Sequence, residues 1–185
     1  MTDVVRVLGI SGSLRAASFN TALLRAAIAH APEGVQIEVA RIDDIPLYSE
    51  DVKAQGFPGP VSRLRDKLAA SEAVLIVTPE YNYSVPGVLK NAIDWASRPP
   101  SHPFAGKALA IMGASSTAGG TMRAQYHLRQ IAVYLDMHPI NKPEIFLRNA
   151  GSAFDAEGKL TDETTKKLLS QQLEALARWA RKLRA

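Results

Sequence analysis

The amino-acid sequence predicts a doubly wound α/β domain, a parallel sheet with helices on both faces. Three observations predict it. Short apolar runs alternate with amphipathic stretches along the whole chain, the pattern of repeated strand and helix units. The clearest runs, Val4–Ile10, Ala73–Thr78 and Ala108–Ala114, are almost continuously apolar, as strands covered on both faces are. Each of the three is followed by a turn rich in Gly, Ser or Pro that leads into a helical pattern.

Taken in order, strand one is Val4–Ile10 and the first helix covers about Phe19–His30. Pro32-Glu33-Gly34 is a turn before strand two, about Val35–Ile42. The polar segment Asp43–Gly59, with Pro46, Tyr48, Gly56 and Pro58, is too long for a plain connection and reads as a functional loop. A helix over about Pro60–Ala70 starts on a proline, whose missing N–H costs nothing there. Strand three is Ala73–Thr78, the next helix about Gly87–Ser97, strand four Ala108–Ala114 and the next helix about Thr121–Leu135. A short fifth strand falls near Glu144–Leu147. The last helix, about Asp162–Leu183, carries Leu169, Leu173, Leu176, Ala180 and Leu183 as one stripe. Five strands with these crossovers imply a single domain over 1–185 with the flavodoxin-like strand order 2-1-3-4-5. In such a sheet the ligand sits outside the carboxyl ends of the strands, beside strand one. That rule selects the turns after strands one, three and four.

The turn after strand one holds Ser11, Gly12, Ser13, Arg15, Ser18 and Asn20, so hydroxyls and a guanidinium gather where a helix begins. Helix N-terminal amides and the positive end of the helix dipole suit an anion. The P-loop spacing is absent. The dinucleotide fingerprint is absent too: Gly9 and Gly12 have no third glycine after them, and Asp43 comes about 31 residues after Gly12, later than the roughly 20 expected. A cysteine-based phosphatase loop is excluded because the chain has no Cys, and the acids of a response-regulator receiver are missing from the end of strand one. A loop that grips a terminal phosphate, as of a flavin mononucleotide, remains. The alternative is an ordinary turn whose Ser and Asn only cap the helix.

The turn after strand three, Thr78-Pro79-Glu80-Tyr81-Asn82-Tyr83-Ser84-Val85-Pro86-Gly87, concentrates aromatic, amide and proline residues. A planar heteroaromatic ring can lie against it, or its tyrosines can pack it as a rigid structural loop. Lys90 and Asp94 in the following helix stand at i, i+4, where a surface ion pair is worth about 0.2–0.5 kcal/mol. The turn after strand four, Ser115–Gly120, is built of small residues that let a ligand approach the backbone. Its amides suit the negative charge of a reduced flavin.

These motifs carry a family resemblance. Gly12-Ser13-Leu14-Arg15 with Ser18 and Asn20, then Pro79-Glu80-Tyr81-Asn82, Pro86-Gly87 and Leu89-Lys90-Asn91-Ala92-Ile93-Asp94-Trp95, resemble the NADPH-dependent FMN reductase family, in its branch of bacterial quinone, chromate and azo reductases. The resemblance covers about Val4–Glu144. It implies noncovalent FMN, NADPH or NADH as co-substrate, a small-molecule electron acceptor, and a homodimer or homotetramer. It also implies that Ser11, Ser13, Arg15, Ser18 and Asn20 hold the phosphate. Pro79, Glu80, Tyr81 and Asn82 would meet the ring and ribityl chain, largely through backbone, and Ser115 and Gly119 would close the third side. Hydride transfer to a flavin needs no side-chain acid or base, so no catalytic residue is assigned. A flavodoxin-type electron carrier is the competing reading, opposed by the basic balance.

Charge and composition bound the rest. Hydrophobic residues at 46% and charged residues at 22% are ordinary for a globular protein. The net charge is +4 and the pI about 9.4, which favours anionic ligands. No apolar run approaches a membrane span. The N-terminus leads directly into a strand containing Arg6, which does not read as a secretory leader. The absence of Cys excludes disulfides and thiolate metal sites and fits a cytoplasmic protein. Lys166, Lys167, Arg178, Arg181, Lys182 and Arg184 make the last helix basic, but Asp162, Glu163 and Glu174 are interleaved and no nucleic-acid motif accompanies them. His30, His102, His127 and His138 lack metal-ligand spacing. Trp95 reads as core. Arg123, Tyr126, Gln130 and Tyr134 share one helix face, either solvated or set against a partner subunit with Tyr48 and Glu144 as cross-partners.

Overall fold

A computed structural model describes residues 4–184; residues 1–3 and 185, which the single-domain reading includes, lie outside the described residues. The elements are β1 Val5–Ser11, α1 Phe19–Ala29, β2 Val35–Ala40, α2 Glu50–Ala54, α3 Gly59–Ala70, β3 Ala73–Val77, α4 Gly87–Ala96, β4 Ala108–Ala114, α5 Met122–Tyr134, β5 His138–Pro139, β6 Ile145–Leu147 and α6 Glu163–Arg184. The strands are parallel in the order β2-β1-β3-β4-β5, with β6 also beside β4.

The continuous apolar runs are the central strands. All of β3 and all of β4 are buried, and alternate residues face opposite layers, as the two-residue period of a strand requires. Val5, Val7, Leu75, Val77 and Met112 pack against α1 and α6 through Leu23, Leu24, Leu169, Leu173 and Leu176. Leu8, Ile10, Val74, Ile76 and Ile111 pack against α3, α4 and α5 through Leu64, Leu68, Leu89, Ile93 and Leu128. The register Ser11↔Val77 and Val77↔Met112 brings the ends of β1, β3 and β4 to one edge.

Two expectations need amending. The strand expected near Glu144–Leu147 is present as β6, which pairs with Met112–Ala114; a further two-residue strand, β5, precedes it and pairs with Ala108 and Leu109, so the sheet has six strands among the described residues. Pro139 and Pro143 bracket the break, where prolines cannot donate to a ladder. Ile111 is left in the gap, and its carbonyl accepts from Gln172 Nε2 on α6 at 3.1 Å; the same nitrogen donates to the Pro143 carbonyl at 2.8 Å. The segment expected as a loop before Gly59 contains the helix α2. α4 anchors the chain ahead of it: the Pro46 carbonyl accepts from Asn91 Nδ2 at 2.9 Å and from Trp95 Nε1 at 2.8 Å, and the Tyr48 amide donates to Asn91 Oδ1 at 2.8 Å. Trp95 is a core residue, as expected, with no exposed surface. The Tyr48 hydroxyl donates to Glu50, which pushes the phenol above its ordinary range and holds the carboxyl below its own.

Among the described residues, no helix is long and apolar enough to cross a membrane, and no cluster of three or more His, Asp or Glu side chains could hold a metal ion.

Candidate functional site

The three selected turns meet at the carboxyl edge of the sheet. In the first, Ser18 is the N-cap of α1: it has extended backbone angles and its Oγ accepts from the amides of Asn20 and Thr21 at 3.2 and 3.3 Å. Ser11 Oγ lies 2.9 Å from Thr21 Oγ1, which ties the strand end to the same helix. The Arg15 amide donates to Ser13 Oγ at 3.4 Å. The turn from Leu14 to Ala17 is exposed. The Arg15 guanidinium lies 5.3 Å from the centroid of the Phe19 ring, and among the described residues no carboxylate pairs with it. Gly12 is required by close approach: a Cβ there would stand 2.9 Å from Thr78 Oγ1 and 3.0 Å from Leu89 Cδ2, so the first turn lies directly against the start of the second.

Asn20 is 4% exposed and does something the sequence did not reveal. Its Nδ2 donates to the Ala114 carbonyl at 2.9 Å and its Oδ1 accepts from the Ala114 amide at 2.8 Å. The side chain thereby joins the start of α1 to the end of β4 and fixes the first turn relative to the third.

In the second turn Pro79 is buried, and Tyr81, Asn82 and Tyr83 are exposed. Tyr81 and Ser84 pair backbone to backbone at 3.1 and 3.0 Å. Asn82 and Tyr83 between them have φ of 49° and 67°, the positive pair of a type I′ turn. Asn accepts such angles readily, whereas a bulky Tyr does so rarely. Glu80 points the other way. Its side chain is 7% exposed and its carboxylate receives Arg123 Nε and Nη2, both at 2.5 Å, with the Arg123 amide at 3.0 Å and the Ala124 amide at 3.2 Å. The carboxylate is thus committed to α5, and only the Glu80 backbone is left for a ligand.

Arg123, expected on a face either solvated or set against a partner, is exposed and also reaches this turn, its guanidinium 3.6 Å from the Tyr83 ring centroid. One turn further along α5, His127 Nδ1 lies 2.9 Å from Ser84 Oγ. Tyr126 and Tyr134 remain on the exposed side of α5 at 48% and 78%. Glu144 pairs with Lys142 at 3.4 Å, and Lys90 pairs with Asp94 at 2.8 Å as expected. A groove of about 550 Å³ between α4 and α5 borders the turn at Ser84 and is lined by Ile93, His127, Ile131 and Tyr134.

The third turn leaves β4 through Ser115, whose amide donates to the Leu147 carbonyl at 2.9 Å. Its Oγ lies 2.9 Å from Thr117 Oγ1. Gly119 abuts Arg123, a Cβ there lying 3.4 Å from Nη2. The three turns together form an edge with hydroxyls and the exposed Arg15 on one side, an exposed aromatic turn on the next, and a small-residue turn on the third.

Residues 5–152 match the family described as NADPH-dependent FMN reductase. The chain belongs to that family. Its relatives cover it from end to end. An NAD(P)H-dependent FMN reductase of Pseudomonas aeruginosa is 58% identical over 184 residues, 100% of each chain. A quinone reductase of Escherichia coli is 42% identical over 187 residues, also 100% of each. Among solved structures, the flavoenzyme NAD(P)H:(acceptor) oxidoreductase of Paracoccus denitrificans superposes with a TM-score of 0.89 at 36% identity, covering 97% of this chain and 98% of that one. Membership of this family makes the chain a flavodoxin-like oxidoreductase dependent on FMN and NAD(P)H.

Proposed function

We propose that the three turns form one FMN site and that the protein passes electrons from NADPH or NADH to a small acceptor: a quinone, a flavin, an azo compound or chromate. The observation that carries this is Arg15, exposed, without a carboxylate partner among the described residues, in the turn between β1 and α1 that also holds Ser11, Ser13 and Ser18. A cation with hydroxyl donors at a helix N-terminus fits a terminal phosphate. Asn20 supports that cradle through Ala114 and has one N–H left to offer. In this reading Pro79, the Glu80 backbone, Tyr81 and Asn82 meet the ring and ribityl chain, and Ser115 and Gly119 close the third side. When bound, FMN supplies the two-electron chemistry, taking a hydride from the nicotinamide and giving electrons to the acceptor. The protein positions the partners, and no side chain is assigned a proton transfer. Donor and acceptor use the same open face in turn, which makes the kinetics ping-pong.

Our reading also includes a homodimer or homotetramer in the cytoplasm. The exposed Tyr126, Val133 and Tyr134 of α5, at 48%, 81% and 78%, beside the groove between α4 and α5, support self-association. The NAD(P)H requirement supports the compartment. One preparation tests these points. Visible flavin bands should bleach on anaerobic NADPH and return with a quinone, initial-rate lines should be parallel, and the holoprotein should sediment above monomer mass at micromolar concentration. Bands that persist with both nicotinamides would make the protein a carrier reduced by another protein. Intersecting lines would require two sites, and a monomer would remove the interface.

A further inference from the structure

Helix α5 begins without a cap of its own. Its N-cap residue, Thr121, makes no side-chain bond to the helix amides; its Oγ1 is instead taken by Gln125 Nε2 at 2.9 Å. The amides an N-cap side chain normally satisfies are those at the second and third helical positions, here Arg123 and Ala124. Both donate to Glu80, 43 and 44 residues earlier in the chain. Glu80 therefore does from another loop what the residue before a helix ordinarily does, and its negative charge complements the positive end of the helix. Its four donors account for a side chain that is 7% exposed although the next three residues are all exposed.

Three contacts then pass from α5 back to the turns, two to the second and one to the third. The Arg123 guanidinium, held by Glu80, lies against the Tyr83 ring. His127 meets Ser84. Arg123 Nη2 sits beside Gly119 of the third turn. Tyr83 is the residue for which a φ of 67° is costly. Such a conformation persists where the surroundings over-determine it, and here those surroundings are the first two turns of α5.

We propose that Glu80 is a positioning residue that locks the turn 79–86 to α5, so that the turn expected to carry the flavin ring and the turn expected to close the third side are held in one arrangement before FMN arrives. This rests on the FMN placement given above. A preformed site spends less of its binding free energy on ordering loops, so the effect falls on FMN affinity and not only on stability.

The test is FMN release from the full-length holoprotein on dilution, read by recovery of flavin fluorescence, in variants whose folding is verified by circular dichroism. Glu80→Ala removes cap and countercharge together and should raise the FMN Kd about tenfold or more. Glu80→Gln keeps a carbonyl for the helix amides but gives Arg123 no countercharge, and should raise it about threefold. Glu72→Ala, which breaks an arginine–carboxylate joint at the opposite end of the sheet, should lower the thermal midpoint with the Kd unchanged. A wild-type Kd in folded Glu80→Ala would overturn the proposal. If that variant does not fold, a wild-type Kd in Glu80→Gln would overturn it. Arg15→Ala separates this proposal from the placement beneath it. Loss of a charge-assisted phosphate contact should weaken FMN about ten- to hundredfold. An unchanged Kd there would refute the phosphate assignment while leaving the Glu80 variants to decide their own question.

Discussion

The turn after β1 and the turn after β3 lie side by side at one edge of the sheet, and they are supported in different ways. The side-chain bonds within the first join residues two to ten apart: Ser11 with Thr21, Ser13 with Ser11 and Arg15, Ser18 with Asn20 and Thr21. Apart from the bond of Thr78 Oγ1 to the Pro79 carbonyl, those that fix the second join residues 43 or 44 apart, Glu80 with Arg123 and Ala124, and Ser84 with His127. The first is largely a local structure that the start of a helix organises by its own capping. The second is imposed from another element. In the locally built turn no carboxylate among the described residues pairs with Arg15, as the proposed phosphate contact requires. A remotely built turn uses its charges on its own support, and Glu80 and Arg123 neutralise each other. The division follows from chain connectivity: a short cap is entropically cheap, whereas a contact across 43 residues requires the sheet and both helices to be in place.

A joint beneath the second turn should therefore be the most sensitive point in this half of the molecule. Gly113, in β4, is in contact with both sides of that joint. A Cβ there would stand 2.3 Å from the Thr78 carbonyl oxygen and 2.2 Å from Thr121 Oγ1. The first is backbone and cannot rotate away. Gly113→Ala should cost about 3 kcal/mol or more, at or above the usual upper end for overpacking, and should loosen the second turn and the start of α5 together. Urea unfolding gives the first quantity, and amide exchange at Ser84 and Ala124 gives the second. An unchanged midpoint would mean that β4 and the second turn separate freely.

The first turn has its own remote tie, Asn20 to Ala114. Asn20→Ala leaves a buried N–H and a buried carbonyl of Ala114 without that partner, a loss of about 2 kcal/mol. Because the other bonds of the turn are local, Ser18 should still cap α1, and helix content should be kept while the urea midpoint falls. If α1 frays in this variant, the first turn depends on β4 as strongly as the second depends on α5, and the contrast between them disappears.

The same contrast decides what was legible in the sequence. The strand order and the three turns could be read because they rest on periodicity and on local composition, and a capping serine at the start of α1, there the alternative to a phosphate ligand, rests on residues within one helical turn. The carboxylate of Glu80 could not, since nothing near it in the chain names Arg123 as its partner. Arg123 itself showed only a helix-face position. The type I′ turn was hidden for a different reason: its second positive-φ position holds Tyr83 where glycine is the usual signal. The bond of Asn20 to Ala114 could not be read either, because an amide near a helix start serves an anion and a neighbouring backbone equally well. The helix α2 did carry a signal in Ser49-Glu50-Asp51, a cap residue followed by acids, outweighed by the prolines on either side. The break between β5 and β6 was marked by Pro139 and Pro143, but which part of β4 each piece pairs with depends on Gln172, reaching in from α6.

The smallest expected effect comes from Glu72, which mirrors Glu80 at the far end of the sheet. It too binds an arginine by guanidinium and amide at once: Arg6 Nη2 at 2.7 Å and the Arg6 amide at 2.5 Å. Glu72 is 13% exposed but Arg6 is 62% exposed, so solvent screens the pair, and Glu72→Gln should cost about 1 kcal/mol near neutrality. Burial by itself would raise the Glu72 carboxyl, and the side-chain and amide bonds and the charge of Arg6, with the charge of Arg184 3.7 Å away, together outweigh it and hold the group below its ordinary range. A carboxyl depressed in the folded state contributes stability that is fully present above its unfolded pKa and is lost as pH falls through the folded value. The wild-type advantage over Glu72→Gln should thus be constant around neutrality and vanish below the ordinary carboxylate range. Urea midpoints of the two proteins, taken from neutral into acid pH, should converge there; a gap that persists in acid would assign the loss to packing rather than to charge. FMN affinity should be the same in both proteins throughout the neutral range, since Glu72 lies at the amino end of β3 and the three turns lie beyond the carboxyl ends. A joint of the same chemistry thus serves stability at one end of the sheet and ligand binding at the other, the difference being which loops its arginine touches.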